Sequence, residues 1–119
     1  MITEQVWIVD DDSSIRWVLE KAFANENISC AAFESAENLL IALDHGQPEV
    51  IISDIRMPNI DGMELLKRLS KQHSHIPVII MTAHSDLDSA VNAYQGGAFE
   101  YLPKPFDIDE AINLSKRAL

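Results

Sequence analysis

Carboxylates, a hydroxyl and a lysine stand at or just beyond the ends of apolar runs in this 119-residue sequence. Asp10 and Asp11 follow the first run, and Asp54 follows the third. Thr82 closes the fourth run, and Lys104 comes shortly after the fifth. Two or three carboxylates held close together repel one another, so either their proton affinities rise or a divalent cation lies among them.

An all-oxygen acidic group without His or Cys suits Mg²⁺, which prefers octahedral oxygen ligation and retains several waters. A carboxylate beside such a cation, a lysine and a hydroxyl can accept a phosphoryl group, because this transfer requires positioning and neutralisation of spreading charge. We therefore predict Asp54 as the nucleophile, with Lys104 and Thr82 as donors to the phosphoryl oxygens. The turn carbonyl of Arg56 could complete the metal shell.

Short apolar runs alternate with helical patterns five times, which is typical of an α/β protein. The predicted strands cover residues 6–9, about 28–33, 50–53, 78–82 and 99–102. A first helix is capped by Ser13 or Ser14 and a second by Ser35. The remaining helices are predicted over about 63–72, over about 86–94, and from about 108 onward.

The third and fourth runs are continuously apolar, as expected for strands covered on both faces. We predict a doubly wound (βα)5, flavodoxin-like α/β fold with a parallel five-stranded sheet of order 2-1-3-4-5. In such sheets the ligand crevice lies at the carboxyl ends of the strands, where the winding direction reverses. The fold would therefore gather the acids, Thr82 and Lys104 on one rim.

Length and charge limit the function classes. The chain suits one domain, residues 1–119, in which Trp7, Trp17 and Cys30 are predicted to be core or half-buried apolar residues. Nine Lys and Arg against nineteen Asp and Glu give a net charge of -10, which disfavours direct contact with nucleic acid or an anionic membrane. A single cysteine favours a reducing compartment, most simply the cytoplasm. The last helical pattern still runs at Leu119, which predicts the N-terminal fragment of a longer protein.

Each candidate residue also has an ordinary structural explanation. Any of the three aspartates at positions 10–12 could cap the first helix, although capping does not account for all three. Asp54 alone, before a turn, would usually be turn chemistry. Lys104 alone would be a solvated loop lysine, and Tyr101 a core aromatic. Their joint occurrence is what favours a site.

Four stretches, residues 9–17, 53–58, 77–86 and 101–107, together resemble the receiver domain of two-component response regulators, in particular the nitrogen-regulation NtrC subgroup. The resemblance spans nearly the whole chain from about Val6. It implies that Asp54 is the phosphorylated aspartate. It also implies that Asp11, Asp54 and the Arg56 carbonyl bind Mg²⁺, while Asp10 acts through water.

The same resemblance implies that Thr82 and Lys104 contact the phosphoryl group and that Tyr101 reorients on activation. The output face would be helix 86–94 with strand 99–102. A sensor histidine kinase would phosphorylate the domain, which is a signalling module rather than an enzyme. The regulator would add an ATPase module acting on sigma-54 and a DNA-binding domain, and phosphorylated copies could form a homodimer.

Three questions stay open at this point. Arg16 fits best if the acid pair is Asp10 and Asp11, but Asp12 could replace one of them. A haloacid dehalogenase-type phosphatase would use Asp10 as nucleophile and Asp12 as acid, although it needs a longer chain and gives Asp54 no role. A flavodoxin-like flavin site would want a Ser-, Thr- or Gly-rich first loop, whereas aspartates repel phosphate.

Overall fold

The computed structural model describes residues 4–83, 95–104 and 106–119. Its strands are β1 (Val6–Val9), β2 (Cys30–Phe33), β3 (Val50–Asp54), β4 (Val78–Ala83) and β5 (Glu100–Lys104). Its helices in the described ranges are α1 (Ser13–Asn25), α2 (Ala36–Ala42), α3 (Gly62–Gln72) and α4 (Ile108–Ala118). All neighbouring strands pair in parallel, in the order β2-β1-β3-β4-β5. The predicted doubly wound α/β fold and strand order are confirmed.

Several element boundaries differ from the predicted ones. Strand β2 begins at Cys30 and not near residue 28. Strand β5 continues to Lys104, because Thr82 and Ala83 of β4 still pair with Pro103 and Lys104. A proline is tolerated there because β5 is an edge strand, which leaves one side without a ladder partner. The predicted helix 86–94 lies outside the described residues.

The first helix is capped by an aspartate. The Asp12 carboxylate accepts a hydrogen bond of 2.9 Å from the backbone N–H of Ser14. The predicted caps Ser13 and Ser14 are therefore wrong, and the alternative that one of the aspartates at positions 10–12 caps this helix is confirmed for Asp12. Carboxylates at this position satisfy a free N–H and interact favourably with the helix dipole. Ser35 does cap α2, as predicted, by accepting from the N–H of Asn38.

Two apolar clusters cover the two faces of the sheet, which explains the continuously apolar runs. In β3, Val50 and Ile52 belong to one cluster, and Ile51 belongs to the other. Trp7 is buried and Cys30 is half-buried, as predicted. Trp17 is 62% exposed, so the prediction that it lies in the core or is half-buried is wrong.

The exposure of Trp17 follows from helix geometry. The buried residues of α1 are Leu19, Ala22 and Phe23. Residue 17 precedes Leu19 by two positions, which places it on a different side of the helix. Its ring lies beneath the Lys21 ammonium, 5.3 Å from the ring centroid. Of the helices described, none is both long enough and apolar enough to cross a membrane.

Candidate functional site

Strand register places three charged side chains on the same face of the sheet. Ile8 pairs with Ile52, so Asp10 and Asp54, each two residues further along, point to one side. The same face continues through β4 to β5, because Ile52 pairs with Ile79 and Ile79 pairs with Glu100. Lys104 lies four residues beyond Glu100 and therefore faces the same side at the carboxyl edge.

Lys104 bridges the two carboxylates. Its Nζ lies 3.0 Å from Asp10 Oδ2 and 3.2 Å from Asp54 Oδ1. The side chains of Lys104, Asp10 and Asp54 are 25%, 0% and 12% exposed, respectively. The backbone N–H of Ile55 also donates to Asp54 Oδ1, at 3.0 Å. This ammonium therefore compensates two carboxylates that are largely removed from water.

Asp10 is held at every polar group. Its N–H donates to the Phe33 carbonyl at 3.1 Å, which extends the sheet. Oδ1 accepts from the N–H of Asp12 at 2.9 Å, and Oδ2 accepts from Lys104. Its carbonyl oxygen accepts from Arg16 Nη1 at 2.7 Å. A buried carboxylate needs such partners, because removing an unpaired carboxylate from water lowers the stability of the fold by roughly several kcal/mol.

The structure groups three of the acids. Asp10, Asp11 and Asp54 each offer a carboxylate oxygen within 4.8 Å of the others, which is the only such acid, His or Cys group among the described residues. Asp11 is exposed, whereas Asp12 is committed to capping α1. This arrangement favours Asp10 and Asp11 as the acid pair.

Burial and charge shift two proton affinities in this group. Burial, followed by repulsion from Asp10, raises the pKa of Asp54, and Lys104 only partly opposes that rise. Burial acts to lower the pKa of Lys104, but its hydrogen bonds and charge interactions with Asp10 and Asp54 outweigh burial and raise it. The ionised form of Asp54 is therefore disfavoured, chiefly by burial, and a bound cation would favour it.

The donor set fits a hard divalent cation. All three acids offer oxygen ligands, and the soft ligands that select transition metals are absent from the group. Arg56 lies two residues beyond Asp54 and is exposed in the loop between β3 and α3. These residues suit Mg²⁺ with part of its water shell retained.

Thr82 and Tyr101 share the opposite face of the sheet. Asp54 pairs with Met81, so Thr82 is offset by one residue and lies at the same edge with its side chain on the other face. Tyr101 pairs with Ile80 and therefore shares the face of Thr82. Thr82 is buried, and Tyr101 is half-buried.

A glycine that sequence reasoning treated only as part of a turn supports the acidic group. A Cβ at Gly62 would collide with the Asp54 carbonyl oxygen and lie 2.7 Å from Ile55 Cα. The Gly62 N–H donates to the Ile55 carbonyl at 2.9 Å. The start of α3 therefore lies directly against the backbone that carries Asp54. No sequence spacing signals this approach, because it joins two elements through their backbones.

Replacing Gly62 by alanine should therefore destabilise the domain. The new methyl group meets rigid backbone and not a flexible side chain, so we expect a loss of about 1–3 kcal/mol. Urea denaturation of Gly62→Ala measures this loss. Lys67→Ala, at an exposed position of the same helix, is the matched control. Equal stability of Gly62→Ala and the wild type would show that the backbones can separate without cost.

The fold and the site define a class: doubly wound α/β domains with acids and a lysine at the carboxyl edge of the sheet. A family model described as the response regulator receiver domain matches residues 6–116, and the chain belongs to that family. The resemblance drawn from four short stretches is therefore confirmed over nearly the whole chain.

Similar proteins point to the NtrC subgroup. The chain is 64% identical over 114 residues to the "DNA-binding transcriptional regulator NtrC" of Proteus hauseri, covering 96% of this chain and 24% of the relative. It is 61% identical to NtrC of Escherichia coli K12, with the same coverage. The chain thus spans about a quarter of the length of these relatives.

Solved structures agree with this placement. The apo receiver domain of NtrC matches with a TM-score of 0.87 and 61% identity, covering 97% of this chain and 93% of that one. The BeF3-activated receiver domain of NtrC matches with a TM-score of 0.83 and 60% identity, covering 99% and 95%. This chain is thus an NtrC-type receiver domain, a signalling domain of a kind found in transcription regulation, and the predicted subgroup is confirmed.

Proposed function

We propose that residues 1–119 form the Mg²⁺-dependent phosphoacceptor domain of a longer regulator of nitrogen-responsive transcription. A sensor histidine kinase supplies the phosphoryl group, which Asp54 accepts. The observation that carries this proposal is the Asp54 carboxylate itself, which is held 3.2 Å from the Lys104 ammonium beside two further acids at the carboxyl edge of the sheet.

The residues around Asp54 divide the work. The carboxylates of Asp11 and Asp54 and the carbonyl of Arg56 would hold Mg²⁺. Asp10 would act through water, and its carboxylate oxygens accept hydrogen bonds from the Asp12 N–H and the Lys104 ammonium. When bound, Mg²⁺ neutralises charge on the phosphoryl oxygens.

Transfer then needs little further machinery. An Asp54 carboxylate oxygen attacks phosphorus, and the bond between phosphorus and the donor histidine nitrogen breaks, so that nitrogen keeps the electron pair. Lys104 lies within reach of Asp54 and can pair with a phosphoryl oxygen. Thr82, at the same edge, would turn its hydroxyl toward another.

Phosphorylation would switch the neighbouring face. The new group adds nearly two negative charges and three strong acceptors, so it recruits donors that face elsewhere in the unmodified domain. Thr82 and Tyr101 share one face of the sheet, so movement of the threonine hydroxyl opens space that the tyrosine ring can enter. The predicted helix 86–94 and strand β5 would then form the altered face that the output domain recognises.

In a longer regulator, further domains would carry the output. Relatives four times as long are named as DNA-binding transcriptional regulators, and this chain covers 24% of them. We propose that these domains are an ATPase module acting on sigma-54 and a DNA-binding module. The regulator would act in the cytoplasm and form a homodimer on phosphorylation. The net charge of -10 favours leaving DNA contact to those further domains.

Phosphoryl transfer from a small donor tests the proposal. With acetyl phosphate and Mg²⁺, the intact protein should gain the mass of one phosphoryl group, and EDTA should prevent this gain. The physical reason is that the acids around Asp54 repel an anionic donor unless a cation is bound. Absence of labelling would contradict the proposal. Repeated turnover of a phosphomonoester would favour the dehalogenase-type phosphatase.

A further inference from the structure

The Arg16 side chain turns back from the first turns of α1 to the end of β1. Its Nη1 donates to the Asp10 carbonyl oxygen at 2.7 Å, and the residue is half-buried. That carbonyl oxygen lies just beyond the last residue of β1, where the parallel ladder with β3 ends. The guanidinium therefore donates the hydrogen bond that, for carbonyl groups within β1, comes from a backbone N–H of a neighbouring strand.

This contact fixes the orientation of the peptide between Asp10 and Asp11. A peptide unit is planar, so fixing its oxygen fixes the direction in which the next residue leaves. The other groups of Asp10 are already held by Phe33, Asp12 and Lys104. Asp11, by contrast, is exposed, so the backbone ahead of it is what sets the position of its carboxylate.

We propose that Arg16 is a positioning residue for Mg²⁺, because it orients the peptide that aims the Asp11 carboxylate at the acidic group. This inference rests on the proposed function. It assigns to Arg16 no contact with the metal or with the phosphoryl group. Partners that orient metal ligands in this indirect way commonly change metal affinity by roughly 10–100-fold when they are removed.

The charge of Arg16 makes the direction of the effect diagnostic. The guanidinium bonded to the Asp10 carbonyl repels a cation that approaches the acids, so loss of its charge alone would tighten Mg²⁺ binding. Loss of the hydrogen bond frees the peptide and would weaken binding. The two roles therefore predict opposite changes in the dissociation constant.

Calorimetric titration with Mg²⁺ alone, at fixed ionic strength, distinguishes these roles. We expect the dissociation constant of Arg16→Ala to rise about tenfold. Arg16→Lys keeps the charge and can donate one hydrogen bond with poorer geometry, so its value should lie between those of the wild type and Arg16→Ala. Lys21→Ala removes a cation from an exposed position of the same helix and should bind as the wild type does.

Equal or tighter Mg²⁺ binding by Arg16→Ala would overturn the inference. If that variant does not fold, Arg16→Met decides instead, because it keeps the aliphatic stem but cannot donate the hydrogen bond: an affinity equal to or tighter than that of the wild type would overturn the inference. A second readout is the Mg²⁺ dependence of labelling by acetyl phosphate: the half-saturating concentration should rise, while the rate at saturation returns toward that of the wild type. Failure of the wild type itself to bind Mg²⁺ would instead contradict the proposed function.

Discussion

Asp54→Asn is expected to abolish the phosphoryl gain from acetyl phosphate, lowering the rate by more than about 10³-fold. An amide cannot supply the anionic oxygen that attacks phosphorus, whereas its shape leaves the surrounding contacts nearly intact. Intact-mass measurement over time, with Mg²⁺ present, gives the labelling rates of the wild type and of Asp54→Asn. Labelling of Asp54→Asn at the wild-type rate would refute Asp54 as the acceptor.

Asp12→Asn is the matched control for the same chemical change. Asp12 is exposed and caps α1, and asparagine caps helices about as well as aspartate does. This variant should therefore be labelled as the wild type is. A strong loss in Asp12→Asn would instead assign Asp12 a role in the reaction, either as one of the acid pair or as the acid of the dehalogenase-type mechanism.

Stability measurements test whether a loss of labelling in Asp54→Asn is caused by misfolding. The pKa of Asp54 is raised in the folded domain, chiefly by burial and Asp10, so the folded state holds this proton more tightly than the unfolded state does. The contribution of Asp54 therefore falls as pH rises from the ordinary aspartate range through its folded pKa. Asp54→Asn should remove that slope, and at neutral pH without Mg²⁺ it should be no less stable than the wild type.

Lys104→Met is expected to have the second large effect, in two separate measurements. Without Mg²⁺, Asp10 and Asp54 lose the cation that lies 3.0 and 3.2 Å from them, and their mutual repulsion is uncompensated. Breaking a wholly buried pair costs about 3–5 kcal/mol, and this partly exposed pair should cost about 2 kcal/mol. The melting temperature should fall by about 6–10 °C.

Mg²⁺ should restore much of the stability of Lys104→Met but not its labelling. The metal replaces the missing positive charge among the acids, and its affinity should increase because a competing cation is gone. Phosphoryl transfer still lacks a donor to the phosphoryl oxygens, so labelling should slow by about 10²-fold. Labelling of Lys104→Met at the wild-type rate would show that the ammonium stabilises the unphosphorylated domain but does not assist phosphoryl transfer. Lys21→Met is the control for loss of an exposed lysine.

The sequence pattern determined the fold and most of the acidic group. Apolar runs mark the strands, and the carboxyl ends of parallel strands meet at one edge, so Asp10, Asp54 and Lys104 could be placed together from their positions alone. The period of two along a strand also gives them a common face, once the register is known. Their assigned roles remain predictions for the labelling experiments.

The tertiary structure decided how individual groups are used, because these choices depend on contacts between elements that no local period encodes. Asp12 caps α1, which leaves Asp11 beside Asp10 and Asp54. Gly62 allows the start of α3 to lie against the backbone of Asp54 and Ile55, and Arg16 donates a hydrogen bond to the Asp10 carbonyl. Periodicity fixes which side of an element a residue faces, whereas the packing of distant backbones fixes which atom it meets.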